Sequence, residues 1–223
     1  MVIHHSPGLD EETKEQVRKL AHHGFLGLCP NLYSRSLPSL KLSDSEGIRR
    51  YSRELSDQQV TDDIESALRC IRDEPYSNGN TGVIGFCSGG RYAYIAACKL
   101  NIDAVVDCYG GSVVVQPERL SELRPVAPID LTASLSCSLL GIFGKEDPHV
   151  PMDHIAAMED RLKLHAKQFE IKIYDGAGHA FLGHQHSSYQ VEASNDAWMR
   201  IFEFFEAHLK SDAKQQLTKE RAE

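Results

Sequence analysis

The sequence is poor in the features that would place it in a membrane or on a nucleic acid. No run approaches the roughly 18 consecutive apolar residues a spanning helix needs, and Met1-Val2-Ile3-His4-His5 has neither the charged start nor the apolar stretch of a secretory leader. Basic residues are in deficit: 24 Lys and Arg face 32 Asp and Glu, and no basic block opposes a phosphate backbone. Close cysteine pairs are also absent. Cys29, Cys70, Cys87, Cys98, Cys108 and Cys137 are scattered, without a C-x-x-C, through apolar or helical stretches, as reduced thiols are. The expectation is a soluble, cytoplasmic protein with no nucleic-acid or membrane partner. With 223 residues it can bury a continuous core as one domain without disulfides or metals.

What is present is an alternation. Short apolar runs at Val2-Ile3, Gly24 to Leu28, Thr81 to Gly85, Ala104 to Tyr109, Ser138 to Phe143 and Phe169 to Tyr174 read as strands. Helical patterns cover Glu11 to His22, Val60 to Asp73, Gly89 to Leu100, Met152 to Lys167 and Asn195 to Leu209. Strands alternating with helices predict an α/β fold, a mostly parallel sheet covered on both faces. Tyr33 to Ser56, rich in Ser, Pro and charge, reads as a long loop holding about one helical turn, of the kind that shapes binding sites. One domain spans 1–209. Residues 210–223 lose large apolar side chains and read as a flexible tail.

Chemistry concentrates where Thr81-Gly82-Val83-Ile84-Gly85 runs into Phe86-Cys87-Ser88-Gly89-Gly90 and a helix begins at once. A strand, a tight turn and a helix make a nucleophile elbow, whose central residue is strained and whose neighbours two before and two after must be small. Gly85 and Gly89 meet that demand. At a helix start, unpaired amides and the helix dipole favour a Cys87 thiolate. The amide of Ser88 then points at a developing oxyanion, with the amide of Ser6, after the first strand, as the second donor. Taken alone, the same motif describes a buried cysteine in a glycine-rich turn equally well.

Its partners decide between the two. Asp147 follows the strand Ser138 to Gly144, and His179 follows Ile171 to Tyr174, so nucleophile, acid and base come in the order of α/β-hydrolases. His179 is the candidate general base and Asp147 the residue that holds its tautomer, with Glu146 as a competing candidate for that role.

On these segments the chain resembles the dienelactone hydrolase (carboxymethylenebutenolidase) family of α/β-hydrolases over about residues 2 to 209. Val2 to Leu9, Pro30 to Arg35, Pro75 to Gly79, Gly85 to Gly90 and Gly178 to Phe181 carry the likeness. The resemblance implies a Cys-His-Asp triad of Cys87, His179 and Asp147 that opens a lactone ester without a cofactor, Ser88 and Ser6 serving as oxyanion donors. Three departures stand out. The family's glutamate beside the nucleophile is replaced by His5, which could pair with a resting thiolate. The arginine four residues after the family histidine, which binds the substrate carboxylate, is replaced by Gly183. Relatives carry about two β-strands before the segment matching Val2-Ile3, so either the start is truncated or the sheet lacks its N-terminal edge strands.

Arg49, Arg50 and Arg53 on the long loop are an alternative anion contact to the missing arginine, but read rather as solvated surface arginines. His5, Tyr33, Phe86 and Phe181 are candidates for lining the substrate site, by motif position. His4-His5, His22-His23 and His184-Gln185-His186 lie in separate segments, so no metal is expected. Trp198, Ile201, Phe202 and Phe205 read as core packing of the last helix. The functional expectation is an ester or lactone hydrolase acting through an acyl-cysteine on a small molecule, as a monomer or weak homodimer. The alternatives are a carboxylesterase or thioesterase for neutral acyl groups, favoured by Gly183, and a catalytically silent relative that binds a ligand.

Overall fold

Aliphatic and β-branched side chains at successive positions cannot all face one side of a strand, so such strands must be covered on both faces. That is how the computed structural model, which describes residues 1–36 and 44–210, arranges them. The strands β1 (Val2–Ile3), β2 (Gly82–Phe86), β3 (Ala104–Cys108), β4 (Ser138–Gly144) and β5 (Phe169–Tyr174) form one sheet in the order β1-β2-β3-β4-β5. Every pairing is parallel, and Ile84, Val106 and Leu140 stand side by side across it. Val83, Ile84, Val105, Val106, Leu139 and Leu140 are fully buried. Burying each such side chain contributes about 1.5–3 kcal/mol, so the central strands are a rigid platform for the loops at their carboxyl ends.

Among the described residues six α-helices surround the sheet or its loops: α1 (Glu11–His22), α2 (Ser45–Glu54), α3 (Asp57–Arg72), α4 (Ser88–Lys99), α5 (Met152–Leu164) and α6 (Val191–Leu209). Helix α4 is buried almost all round, held between β2, β3, α3 and the 3-10 turn Pro128–Ser134. Trp198, Ile201 and Phe205 of α6 are core residues, as their spacing predicts.

Three sequence expectations need correction. Gly24 to Leu28 is not a strand: Gly24 takes a positive φ of 82°, and a Cβ on Gly27 would lie 2.8 Å from Val17 Cγ1, so the segment is pressed onto α1. Only the Leu28 carbonyl reaches β1, accepting from the Val2 amide at 2.8 Å. Within Tyr33 to Ser56, the ten residues of α2 replace the expected loop, capped by Asp44, whose carboxylate accepts from the Gly47 amide at 2.8 Å. Buried Ile48 and Leu55 with half-buried Tyr51 give it an inward stripe at helical spacing that the surrounding charges conceal. The third helix begins at Asp57, three residues early, because Ser56 accepts from the Gln59 amide and caps it. Of the expected tail, 210–223, all but Lys210 lies outside the described residues. Among the described residues β1 is the first strand and stands at one end of the sheet order.

Candidate active site

A parallel sheet brings the loops after β1, β2, β4 and β5 to one rim, and all the predicted chemistry lies on those loops. Cys87 leaves β2 at φ 54° and ψ −117°, the strained geometry of an elbow. The cost is met by glycine at the crowded positions. A Cβ on Gly85 would lie 1.9 Å from the Gly89 carbonyl oxygen, and one on Gly89 would lie 2.2 Å from that of Ile3. Gly90 and Gly110 leave room for Asp107, which is fully buried beneath the turn and accepts from the Gly110 amide at 2.8 Å. Burial pushes the Asp107 carboxyl up to about 7.

Asp147 and His179 meet across the ends of β4 and β5. The Asp147 Oδ2 to His179 Nδ1 distance is 2.7 Å, while Oδ1 accepts from the amides of His149 at 2.7 Å and Val150 at 3.3 Å. Burial opposes charge on Asp147, but these bonds outweigh it and hold the carboxyl below its usual range. Glu146 is exposed and makes no such contact. The Ser188 hydroxyl donates to the His179 carbonyl at 2.6 Å and fixes the loop that carries the imidazole.

Cys87 and His179 titrate against each other. Burial pushes the thiol up, yet the hydrogen bond and charge of His179, the Ser88 amide and the Ser6 hydroxyl together leave it lowered. Burial pulls His179 down, but bonds to Asp147 and Cys87 carry it up to about 9. Each group thus stabilises the charged form of the other, thiolate on Cys87 and imidazolium on His179.

Ser6 was expected to act through its amide. Its side chain also touches the Cys87 sulfur, and its carbonyl accepts from the Tyr33 hydroxyl at 2.6 Å. His4 locks the same loop as a neutral ring, lowered to about 4 by burial, with Nδ1 donating to the His5 carbonyl and Nε2 accepting from the Leu32 amide.

A cavity of about 1040 Å³ opens over the sulfur, with Ser6, Tyr33, Cys87, Ser88 and His179 on its wall. Three expected lining residues are elsewhere. Phe86, on the strand before the elbow, packs against Trp198 and Tyr109, and Phe181 against Tyr109 and Tyr174. Both belong to the core. His5 points away from the sulfur: its Nε2 is 2.7 Å from Asp10 Oδ2, and its ring lies edge-on to His186. It makes no ion pair with Cys87. At Gly183, a Cβ would lie 2.4 Å from Glu12 Oε1, so Glu12 fills the space an arginine would need.

The same cavity holds residues that sequence reasoning missed. Arg119, Arg124 and His149 reach it from the connections between elements, His154 from the first turn of α5, and Arg53, read as a surface residue, from α2. Among the described residues no carboxylate pairs with Arg53, Arg119 or Arg124, whereas the fourth guanidinium there, Arg91, is held by Asp57 at 2.5 and 2.8 Å. Arg124 donates to the Ser52 carbonyl at 2.8 Å and leaves its Nε buried without a partner. Tyr109, at φ 43°, meets the His179 ring in a T-shaped contact with ring centroids 5.2 Å apart. A positive φ on tyrosine carries no sequence signal.

Comparison with known proteins agrees with this geometry. The model of the family described as "Dienelactone hydrolase family" matches residues 1–209. A "putative carboxymethylenebutenolidase" of Yersinia pestis is 30% identical over 93% of this chain and 77% of its own. A "probable 2-oxo-3-(5-oxofuran-2-ylidene)propanoate lactonase" of Bradyrhizobium is 30% identical over 91% of this chain and 80% of its own. Among solved structures, a "putative dienelactone hydrolase" from Klebsiella pneumoniae superposes with a TM-score of 0.83 at 27% identity, covering 92% of this chain and 84% of that one.

Proposed function

The chain belongs to the dienelactone hydrolase family of α/β-hydrolases, and from that premise we propose that it hydrolyses a carboxylate-bearing ester or lactone through an acyl-cysteine on Cys87. The observation that carries the reading is the line from Asp147 through His179 to a cysteine at a strained elbow.

The Cys87 thiolate attacks the substrate carbonyl carbon, and the carbonyl π electrons move to oxygen. The Ser88 amide at the start of α4 stabilises that oxyanion, with a second donor from the Ser6 loop. Collapse breaks the acyl–oxygen bond, and the leaving alkoxide takes the proton from the His179 imidazolium. His179, now neutral, removes a proton from water as it attacks the thioester. The acid is released and the thiolate and imidazolium return. Asp147 stays ionised and orients the ring throughout.

Arg53, Arg119 and Arg124, free of carboxylate partners in the cavity, supply the positive wall for a substrate anion. A nucleophilic thiolate also requires a reducing setting; all six cysteines are free, which fits a cytoplasmic location.

The test compares p-nitrophenyl acetate turnover by the native chain, Cys87→Ala and Cys87→Ser, with mass spectrometry for an acylated Cys87. Equal background rates in all three would sink the enzymatic reading. A clear preference for neutral short-chain esters over a carboxylate-bearing lactone would overturn the substrate class.

A further inference from the structure

Two histidines that lie 181 positions apart in the chain, His5 and His186, meet at Glu12, the second residue of α1. Each of the three offers one ligand atom, and these atoms lie within 4.8 Å of one another. Glu12 and His5 are buried; the His186 side chain is 36% exposed and leaves the group open on one side.

The hydrogen bonding around them is incomplete. His186 Nε2 comes 3.2 Å from Glu12 Oε2 but is buried there without a hydrogen bond, and Gln16 Oε1, one helical turn along from Glu12, is also buried without a partner. Gln16 is itself 5% exposed. Lone pairs converging in a buried space are costly unless a cation or protons lie between them. His5 is oriented from behind: Asp10 accepts from its Nε2–H, which leaves a lone pair on the other ring nitrogen. A carboxylate behind a histidine is the support that metal-bound imidazoles commonly have. Gly183 completes the enclosure, since a Cβ there would lie 2.4 Å from Glu12 Oε1 and 2.5 Å from His186 Cδ2.

We propose that His5, Glu12 and His186 form a binding site for a divalent transition metal, with Zn²⁺ the best match to two imidazoles and a carboxylate. The metal bridges the segment after β1 to the loop that follows His179. It is separate from the Cys87 thiolate and takes no part in ester cleavage.

The test is a titration of the chelator-treated full chain with Zn²⁺ by calorimetry, beside Glu12→Gln, His186→Ala and Cys87→Ala. Thermal unfolding with and without Zn²⁺ gives a second readout. The expected result is one equivalent bound, a Zn²⁺-dependent rise in Tm, and affinity at least about tenfold lower in Glu12→Gln and His186→Ala, since even outer-shell losses cost that much. Cys87→Ala should bind like the native chain. Loss of binding in Cys87→Ala, with His186→Ala unaffected, would move the metal to the thiolate and overturn the proposal. Absence of saturable binding would overturn it as well. Circular dichroism of each variant establishes that it is folded, and partly exposed His186 is the safer of the two.

Discussion

Two three-residue clusters flank the same loops, and they differ in how completely their polar atoms are satisfied. In the first, Asp147, His179 and Cys87 form a chain in which each carboxylate oxygen and the bonded imidazole nitrogen has a named partner. In the second, His5, Glu12 and His186 converge with a buried nitrogen left over. A satisfied chain transmits a proton and needs nothing added to it. An unsatisfied one waits for a cation. The contrast separates reaction from binding within a few residues of sequence.

Changes to the first cluster should be the most damaging. Cys87→Ala should reduce ester turnover to the uncatalysed background in a p-nitrophenyl ester assay. Asp147→Asn should lower kcat by roughly 10²- to 10⁴-fold, because the imidazole loses its orienting anion while the binding surface is untouched. Next is the substrate wall. Arg124→Met should lower kcat/KM about 10- to 100-fold for a carboxylate-bearing ester, the worth of one charged hydrogen bond, and leave a neutral ester unchanged. His186→Ala should alter neither rate in the absence of metal. If it matches Asp147→Asn instead, the two clusters are one machine and the contrast fails.

The pH profile sharpens the comparison further. Activity should rise as the lowered Cys87 thiol ionises and fall as His179 loses its proton near pH 9. A separate effect, on stability rather than rate, concerns Asp107, buried beneath the elbow. Its carboxyl is raised to about 7 in the folded chain, so the native state holds its proton where the unfolded chain, with an ordinary carboxyl near 3.8, has released it. Stability from this group is complete below about pH 4, declines up to about pH 7 and is level above. Asp107→Asn should flatten that slope in denaturant titrations run across the same range.

The elbow and its partners were legible because their constraints are local. Gly85 and Gly89 mark a backbone with no room for a Cβ, and Asp147 and His179 each end a recognisable strand. Residues whose position depends on rotation about a strand or helix were not legible. Phe86 and Phe181 adjoin catalytic candidates in sequence, but their side chains are carried into the core. His5 sits beside Ser6, yet the Asp10 carboxylate turns it toward α1. The metal-like cluster was hidden for the same reason: Glu12 looks like an ordinary acidic residue in a first helical turn, and only the fold brings His186 to it. Helix α2 was concealed by the charges around Ile48 and Leu55, and with it the approach of Arg53 to the cavity.

Strand β1 is two residues long and lies at the edge of the sheet. A strand of that length adds few bonds to the sheet, and local opening begins where such bonds are fewest. Ser6, which touches the sulfur, and His5, which belongs to the second cluster, both hang from it. Mild heating should therefore detach half of each site while β2 to β4 remain folded, and activity should disappear at a lower temperature than the sheet. A cation held between His5, Glu12 and His186 would work against that detachment as a staple across the weakest seam of the fold.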